Sequence, residues 1–162
     1  MSDEKAIVMM GSDKDLDFTQ PCLDLLEDFD IDYELIVASA HKTPEKVLDI
    51  LNRNENEENL VYVTVAGRSN ALSGMVDANT QYPVIACPPY SSKFGGADIF
   101  SSLRMPSGVS PMVILDPEAA ALAVAKIFSL SNPELSEKVS SYQKKIQKKV
   151  EESDENIEEK SG

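Results

Sequence analysis

The sequence predicts an α/β protein: a three-layer αβα sandwich with a central parallel sheet, Rossmann-like or flavodoxin-like, and an extra C-terminal helix. Two observations lead to this prediction. Short, continuously apolar runs that suit buried strands alternate with segments whose apolar residues recur at helical spacing. Small or polar residues follow most of the apolar runs, which is typical of strand–helix units in a sheet covered on both faces.

Five strands are expected. The third is the most strongly indicated, because Val61, Val63 and Val65 are β-branched residues that favour extended backbone. In chain order, the predicted strands are residues 6–10, 33–38, 60–66, 83–86 and 111–115.

Helices are expected between and after these strands. The first, over residues 15–29, tolerates Pro21 only if it begins near Asp17, so that the proline falls close to the first turn. Thr43 is the expected N-cap of the second helix, with Pro44 at its first position. The remaining helices are predicted over residues 71–79, over 117–130 after a cap at Asp116, and from Pro133 to about Val150.

The 162 residues fit one domain with its own core. Residues 1–150 are predicted to form that domain, and residues 151–162 a charged, flexible tail. Neither a signal peptide nor a membrane-spanning stretch is expected, which predicts a cytoplasmic protein. Cys22 and Cys87 are therefore expected to be reduced thiols, and with a single histidine they are too few for a structural zinc site.

The charge balance limits the classes of partner. A formal net charge of −13 repels nucleic acid, and no basic stripe with interleaved aromatic residues is present. We therefore expect no nucleic-acid partner and no membrane partner. An anionic substrate would need a local group of cations to overcome this field.

Three loops should meet at one edge of the sheet, because ligands of parallel sheets bind beyond the carboxyl ends of the strands. They are residues 11–15, 39–43 and 67–70. The first has small residues and a helix start that suit a phosphate, but Ser12 or Asp15 could equally be a simple backbone cap. The second contains His41, which either exchanges a proton during catalysis or makes a structural hydrogen bond.

The third loop offers Gly67 for close backbone approach and Arg68 for bidentate anion binding. The alternative is a helix start capped by Ser69, with Arg68 paired to an acidic neighbour. Two further stretches have open roles: residues 87–96 are a lid or an ordinary connection, and residues 101–108 are a subunit contact, a site wall or an ordinary connection.

Four motifs together resemble the PurE family over roughly residues 6–130. They are Met-Gly-Ser-x-x-Asp at residues 10–15, Ser-Ala-His-Lys-Thr-Pro at 39–44, Ala-Gly-Arg-Ser-Asn-Ala-Leu at 66–72, and Ser-Ser-Leu-Arg-Met-Pro-Ser-Gly at 101–108. One branch of this family contains mutases, which move a carboxyl group from the exocyclic nitrogen of a carboxyaminoimidazole ribonucleotide to a ring carbon. The other branch carboxylates aminoimidazole ribonucleotide directly.

The sequence resembles the carboxylase branch. Lys42 follows His41 where mutases usually have arginine, and Ala71 stands where mutases usually have a second histidine. Cys87-Pro88-Pro89 also matches the carboxylases. The resemblance thus implies phosphoribosylaminoimidazole carboxylase activity in purine synthesis, without ATP. The alternatives are the mutase reaction and a non-catalytic sensor of nucleotide phosphates.

The resemblance also implies roles for the loop residues. His41 would transfer the proton during catalysis. Ser12 and Asp15 would bind the ribose and phosphate end, which Ser39 and Lys42 complete, while Gly67 and Ser69 would line the imidazole and carboxylate side. The role of Lys14 stays open. No metal and no organic cofactor are expected, carbon dioxide or bicarbonate would be the co-substrate, and the chain would form a homo-oligomer, an octamer or a tetramer.

Overall fold

The computed structural model describes residues 4–89 and 95–161. Within them, five strands form one sheet in the order β2-β1-β3-β4-β5, and every neighbouring pair is parallel. This order is that of flavodoxin-like sheets, so the predicted fold class is confirmed. The strands are β1 Glu4–Met10, β2 Asp32–Val37, β3 Asn59–Val65, β4 Val84–Ala86 and β5 Met112–Val113.

The helices divide between the two faces of the sheet. Those that share a core with one face are α1, α5 and α6, and those that share a core with the other are α2 and α3. The short α4 follows β4. The helices are α1 Leu16–Asp28, α2 Pro44–Arg53, α3 Ala71–Asp77, α4 Phe100–Leu103, α5 Pro117–Phe128 and α6 Pro133–Ser161.

The strand β1 shows why both faces need helices. Ala6, Val8 and Met10 point into the core beneath α1 and α5, whereas Ile7 and Met9 point into the core beneath α2. All five are at most 2% exposed, because successive side chains of a strand point to opposite faces. Residues 6–10 of β1 thus form a continuous apolar run that is buried on both faces.

One helix start agrees with the prediction and one helix end differs from it. α1 begins at Leu16, next to the expected start near Asp17, and Pro21 lies inside the helix, just beyond its first turn. Its missing N–H leaves the carbonyl of Asp17 without a helical partner, but Asp17 is exposed, so water can replace that bond. The predicted end of the last helix near Val150 is wrong, since a run of helix-forming lysine and glutamate residues carries α6 to Ser161.

Both cysteines are free and buried, as predicted for reduced thiols. Burial raises the pKa of the Cys22 thiol and of the Cys87 thiol to about 12. No helix within the described ranges is long and apolar enough to cross a membrane. Residues 90–94 of the candidate lid lie outside the described residues.

The register of the central strands sets the position of three loops. Met10 at the end of β1 lies opposite Val37 of β2 and Val65 of β3. The ladder continues one residue further, because the Ala38 N–H donates to the Met10 carbonyl at 2.9 Å and the Gly11 N–H donates to the Val65 carbonyl at 2.8 Å. The three loops therefore start at the same level, side by side.

Candidate functional site

A cavity of about 890 Å³ opens where these loops meet, beyond the carboxyl ends of β1, β2 and β3. All seven residues singled out in the sequence line it: Ser12, Asp15, Ser39, His41, Lys42, Gly67 and Ser69. The other lining residues are Gly11, Asp13, Lys14, Ala40, Ala66, Arg68, Leu72, Pro89 and Asp98.

A second cavity, of about 920 Å³, lies at the opposite edge of the sheet. Its lining includes Glu4, Asp30 and Asp32, and its single cation, Lys138, is paired with Asp30 at 2.6 Å. Such a lining disfavours an anion. The cavity at the carboxyl ends is therefore the better candidate for binding a phosphorylated ligand.

The first loop combines a cap with a cavity wall. Ser12 Oγ accepts a hydrogen bond from the Lys14 N–H at 3.2 Å and donates to Asp13 Oδ1 at 3.2 Å. The serine is thus the backbone cap that was one of the two alternatives, and it also lines the cavity. Burial raises the pKa of the Asp15 carboxyl, an effect that the nearby Arg68 charge opposes and the Asp13 charge reinforces.

Hydrogen bonds close the second loop around His41. Thr43 Oγ1 accepts from the Ser39 N–H at 2.9 Å and donates to the Ser39 carbonyl at 3.3 Å, and Ser39 Oγ accepts from the Lys42 N–H at 3.3 Å. Thr43 is the N-cap residue of α2, as predicted, but its hydroxyl makes no capping bond to that helix. It braces the turn that holds His41 and Lys42, whose side chains are exposed.

Gly67 in the third loop allows a close approach of backbone to backbone. A Cβ built on it would lie 2.3 Å from the carbonyl oxygen of Pro89, closer than any real side chain tolerates. Pro89 therefore packs directly against the loop. Gly67 shapes the cavity wall through this contact.

Asn70, not Ser69, caps α3, so the alternative in which Ser69 is the cap is wrong. Asn70 Oδ1 accepts from the Ser73 N–H at 3.2 Å and from Ser73 Oγ at 2.9 Å, while its Nδ2 donates to Ser102 Oγ at 2.9 Å. The Asn70 N–H donates to Ser101 Oγ at 3.0 Å. The start of the stretch over residues 101–108 is thereby fastened to the third loop, behind the cavity wall.

Among the described residues, two that line the cavity lie outside both the three loops and the motif at residues 66–72. Asp98 stands on a short 3₁₀ helix, residues 97–99, that follows the fourth strand. Pro89 was noted only as part of the loop after that strand. A signal was present, because β4 neighbours β3 and its carboxyl end opens at the same edge of the sheet.

Among the residues that the structure describes, three cations line the cavity: Lys14, Lys42 and Arg68. None forms an ion pair with any residue that the structure describes. In a chain of net charge −13, unpaired cations gathered at one cavity favour an anionic ligand. Across residues 4–89 and 95–161, no group of three or more histidine, cysteine, aspartate or glutamate side chains is arranged to hold a metal ion.

Comparison with known proteins identifies the family. The profile described as AIR carboxylase matches residues 5–149. The chain belongs to the AIR carboxylase family. A phosphoribosylaminoimidazole carboxylase of Archaeoglobus fulgidus is 58% identical over 153 residues, which cover 94% of this chain and 84% of that protein.

Proteins of a second organism, Treponema denticola, are also similar to this chain in sequence and in structure. A phosphoribosylaminoimidazole carboxylase of Treponema denticola is 46% identical over 149 residues, covering 91% of this chain and 94% of that protein. The crystal structure of Treponema denticola PurE matches with a TM-score of 0.92 at 44% identity, over 95% of this chain and 98% of that one. The predicted membership of the PurE family, and with it an enzyme of the carboxylase type, is confirmed.

Replacing Gly67 by alanine should deform the cavity wall. The new methyl group would meet the Pro89 carbonyl oxygen, and relief requires a shift of backbone, so we expect a loss of about 1–3 kcal/mol in the free energy of unfolding. Thermal and denaturant unfolding measure the loss. Gly11→Ala is the control, because its Cβ would lie 3.3 Å from Ala66 Cβ, a milder contact. Equal stability of the two variants would contradict the role given to Gly67.

Proposed function

We propose that this chain catalyses the reversible carboxylation of aminoimidazole ribonucleotide by carbon dioxide, without ATP, to form carboxyaminoimidazole ribonucleotide in purine synthesis. The observation that carries the proposal is the convergence of His41 and six expected binding residues on one cation-bearing cavity. Relatives named phosphoribosylaminoimidazole carboxylase support it.

The ribonucleotide would lie across the three loops. Its phosphate would be held by hydroxyls of Ser12 and Ser39 and by the charge of Lys42, with Asp15 accepting from the ribose hydroxyls. Gly67 and Ser69 would then face the imidazole ring from the third loop. Holding both ends of the nucleotide fixes the ring in one orientation, which lowers the entropic cost of the reaction.

The bond-forming step needs no activated carboxyl donor. The aminoimidazole ring is an electron-rich enamine, so its nucleophilic ring carbon can attack the carbon of carbon dioxide and form the new C–C bond. The intermediate carries both a hydrogen and a carboxylate on that carbon. Removing this proton restores the aromatic ring, and returning it starts the reverse reaction.

His41 would carry out the proton transfer. It is the only histidine of the chain, it lines the cavity, and the turn around it is braced by Ser39 and Thr43. An imidazole accepts and donates a proton near neutral pH, so one residue would serve as base in carboxylation and as acid in decarboxylation. We propose that neither a metal nor an organic cofactor takes part and that the enzyme acts in the cytoplasm.

The reaction itself is tested with purified protein, aminoimidazole ribonucleotide and bicarbonate, with neither ATP nor a second enzyme. We expect the carboxylated ribonucleotide to form, because the ring carbon attacks carbon dioxide directly. Activity only on the ribonucleotide carboxylated at the exocyclic nitrogen would favour the mutase reaction. Tight nucleotide binding without turnover of either compound would favour a sensor.

Replacing His41 by asparagine should separate binding from chemistry. We expect the rate to fall by about 10²–10⁴-fold, because proton transfer loses its general base, while nucleotide affinity stays close to that of the parent protein. Initial rates and titration calorimetry measure the two quantities. Asp49→Asn, on an exposed position of α2 outside the cavity, is the control and should retain full activity. Near-normal turnover of the His41 variant would refute the assignment.

We also propose that the chain assembles as a homo-oligomer, an octamer or a tetramer. Phe100 is 71% exposed, Leu103 is 55% exposed and Leu130 is 88% exposed, and large apolar side chains left in water favour association. Sedimentation or light scattering should therefore give a mass several times the 17.7 kDa of one chain. A mass of a single chain at micromolar concentration would contradict this proposal.

A further inference from the structure

Arg68 and Lys42 belong to loops on opposite sides of the loop that follows β1. The order of the sheet places the loop after β1 in the middle, the loop after β2 on one side and the loop after β3 on the other. Lys42 belongs to the second of these loops and Arg68 to the third. A ligand that spans the cavity would therefore meet one cation at each end.

The backbone of Arg68 adopts a conformation that arginine rarely takes. Its φ is +61°, in the left-handed region, and among the described residues only Asp30 shares such a value outside glycine. This conformation costs an L-residue on the order of 1–2 kcal/mol. Strain of this kind persists only where surrounding contacts enforce it, and it concentrates at binding sites.

A polar network holds this conformation, buried at Asn70 and Ser102 and exposed at Ser101, whose hydroxyl also donates to the Asp98 carbonyl at 2.8 Å. Ser101 Oγ lies 3.0 Å from the Arg68 carbonyl oxygen, to which it donates, and accepts from the Asn70 N–H at 3.0 Å. Asn70 is 4% exposed and is itself fixed by Ser73 and Ser102. The network thus clamps the backbone on both sides of Ser69 and fixes the direction in which the Arg68 side chain leaves it.

The guanidinium of Arg68 is available to a ligand. The positive charge of Arg68 lowers the pKa of the Asp15 carboxyl, against the larger effect of burial. No carboxylate among the described residues forms an ion pair with Arg68. A guanidinium presents two parallel N–H groups whose spacing matches two oxygens of a carboxylate or of a phosphate, so the place of Arg68 in the loop after β3, away from Lys42, assigns it to the carboxylate. Lysine, as at position 42, offers a point charge that suits a phosphate but lacks this match.

We propose that Arg68 is a specificity-determining residue that binds the carboxylate of the carboxylated ribonucleotide, at the end of the cavity away from the phosphate. This inference rests on the proposed function, since it assigns the two cations to the two anionic ends of one ligand. Aminoimidazole ribonucleotide carries the phosphate alone, and its product carries the phosphate and the carboxylate. Arg68 therefore distinguishes product from substrate.

The test compares the affinity of both nucleotides for Arg68→Gly. Glycine adopts a φ of +61° without strain, so this variant removes the side chain and keeps the backbone. Both affinities are measured by titration calorimetry in the His41→Asn background, where conversion between the two ligands is slow. We expect the Kd of the carboxylated ribonucleotide to rise about 10-fold or more and that of aminoimidazole ribonucleotide to change less than about 3-fold.

Two further variants sharpen the comparison. Arg68→Lys keeps the charge without the paired N–H groups and should restore only part of the lost affinity. Asp30→Gly, at the other left-handed position and outside the cavity, makes the same kind of backbone change and should leave both Kd values unaltered.

Three outcomes would overturn the assignment. An equal loss for both nucleotides means that Arg68 serves the shared phosphate, and no loss for either means that it binds neither anion. Full recovery with lysine means that only the charge matters. Failure of the proposed function is distinguishable, because the ATP-free carboxylation assay of the parent protein then gives no product, whereas the two affinities are read by calorimetry independently of turnover. Binding of neither nucleotide with Arg68 in place would overturn both proposals.

Discussion

The parallel pairing of β1 with both β2 and β3 is the constraint on which the candidate site depends. Apolar side chains of β1 and β3 fill both faces of the sheet, so an unpaired polar group there would be buried without water. The polar and charged residues of the cavity lie in the loops beyond the strand ends. Because Met10 lies level with Val37 and Val65, the ends of the three strands coincide, and a single cavity collects the side chains of all three loops.

The loops themselves are held by different means. In the second, two side-chain hydroxyls bond to the backbone of their own turn, so its shape is local. The third loop depends on distant segments. Pro89 lies in close contact with Gly67, and Ser101 and Ser102 form hydrogen bonds with Asn70, roughly thirty residues away in the chain. The proline and the two serines all follow β4. The shape of the third loop thus depends on the segment after β4 as well as on β3.

Much of this arrangement could be predicted from the sequence because local rules apply to it. Continuous apolar runs identified the strands, and the Pro44 helix start and the Asp116 cap follow ordinary preferences for helix starts. The three loops could be located because each follows a strand that ends at the same edge, and the resemblance of their motifs to the PurE family selected the seven candidate residues that line the cavity. Their motifs added the chemistry, which spacing alone does not supply.

The remaining features depend on tertiary context. Pro21 is tolerated inside α1 because Asp17, whose carbonyl loses its partner, is exposed. Asn70 replaces Ser69 as the cap because its amide also satisfies Ser102, a partner that no local pattern reveals. The left-handed backbone of Arg68 and the position of Asp98 follow from packing between segments far apart in sequence. Neither has a signature within its own few residues.

The burial of Cys22 and Cys87 has a practical consequence for work on this protein in solution. Because burial raises the pKa of both thiols far above neutral pH, little reactive thiolate forms, and the sulfur atoms are shielded by the core. The two thiols of the native chain should therefore react very slowly with maleimides and similar thiol reagents. A single cysteine added on the surface near the cavity mouth would take up a fluorophore selectively, so loop movements could be followed without first removing the natural thiols.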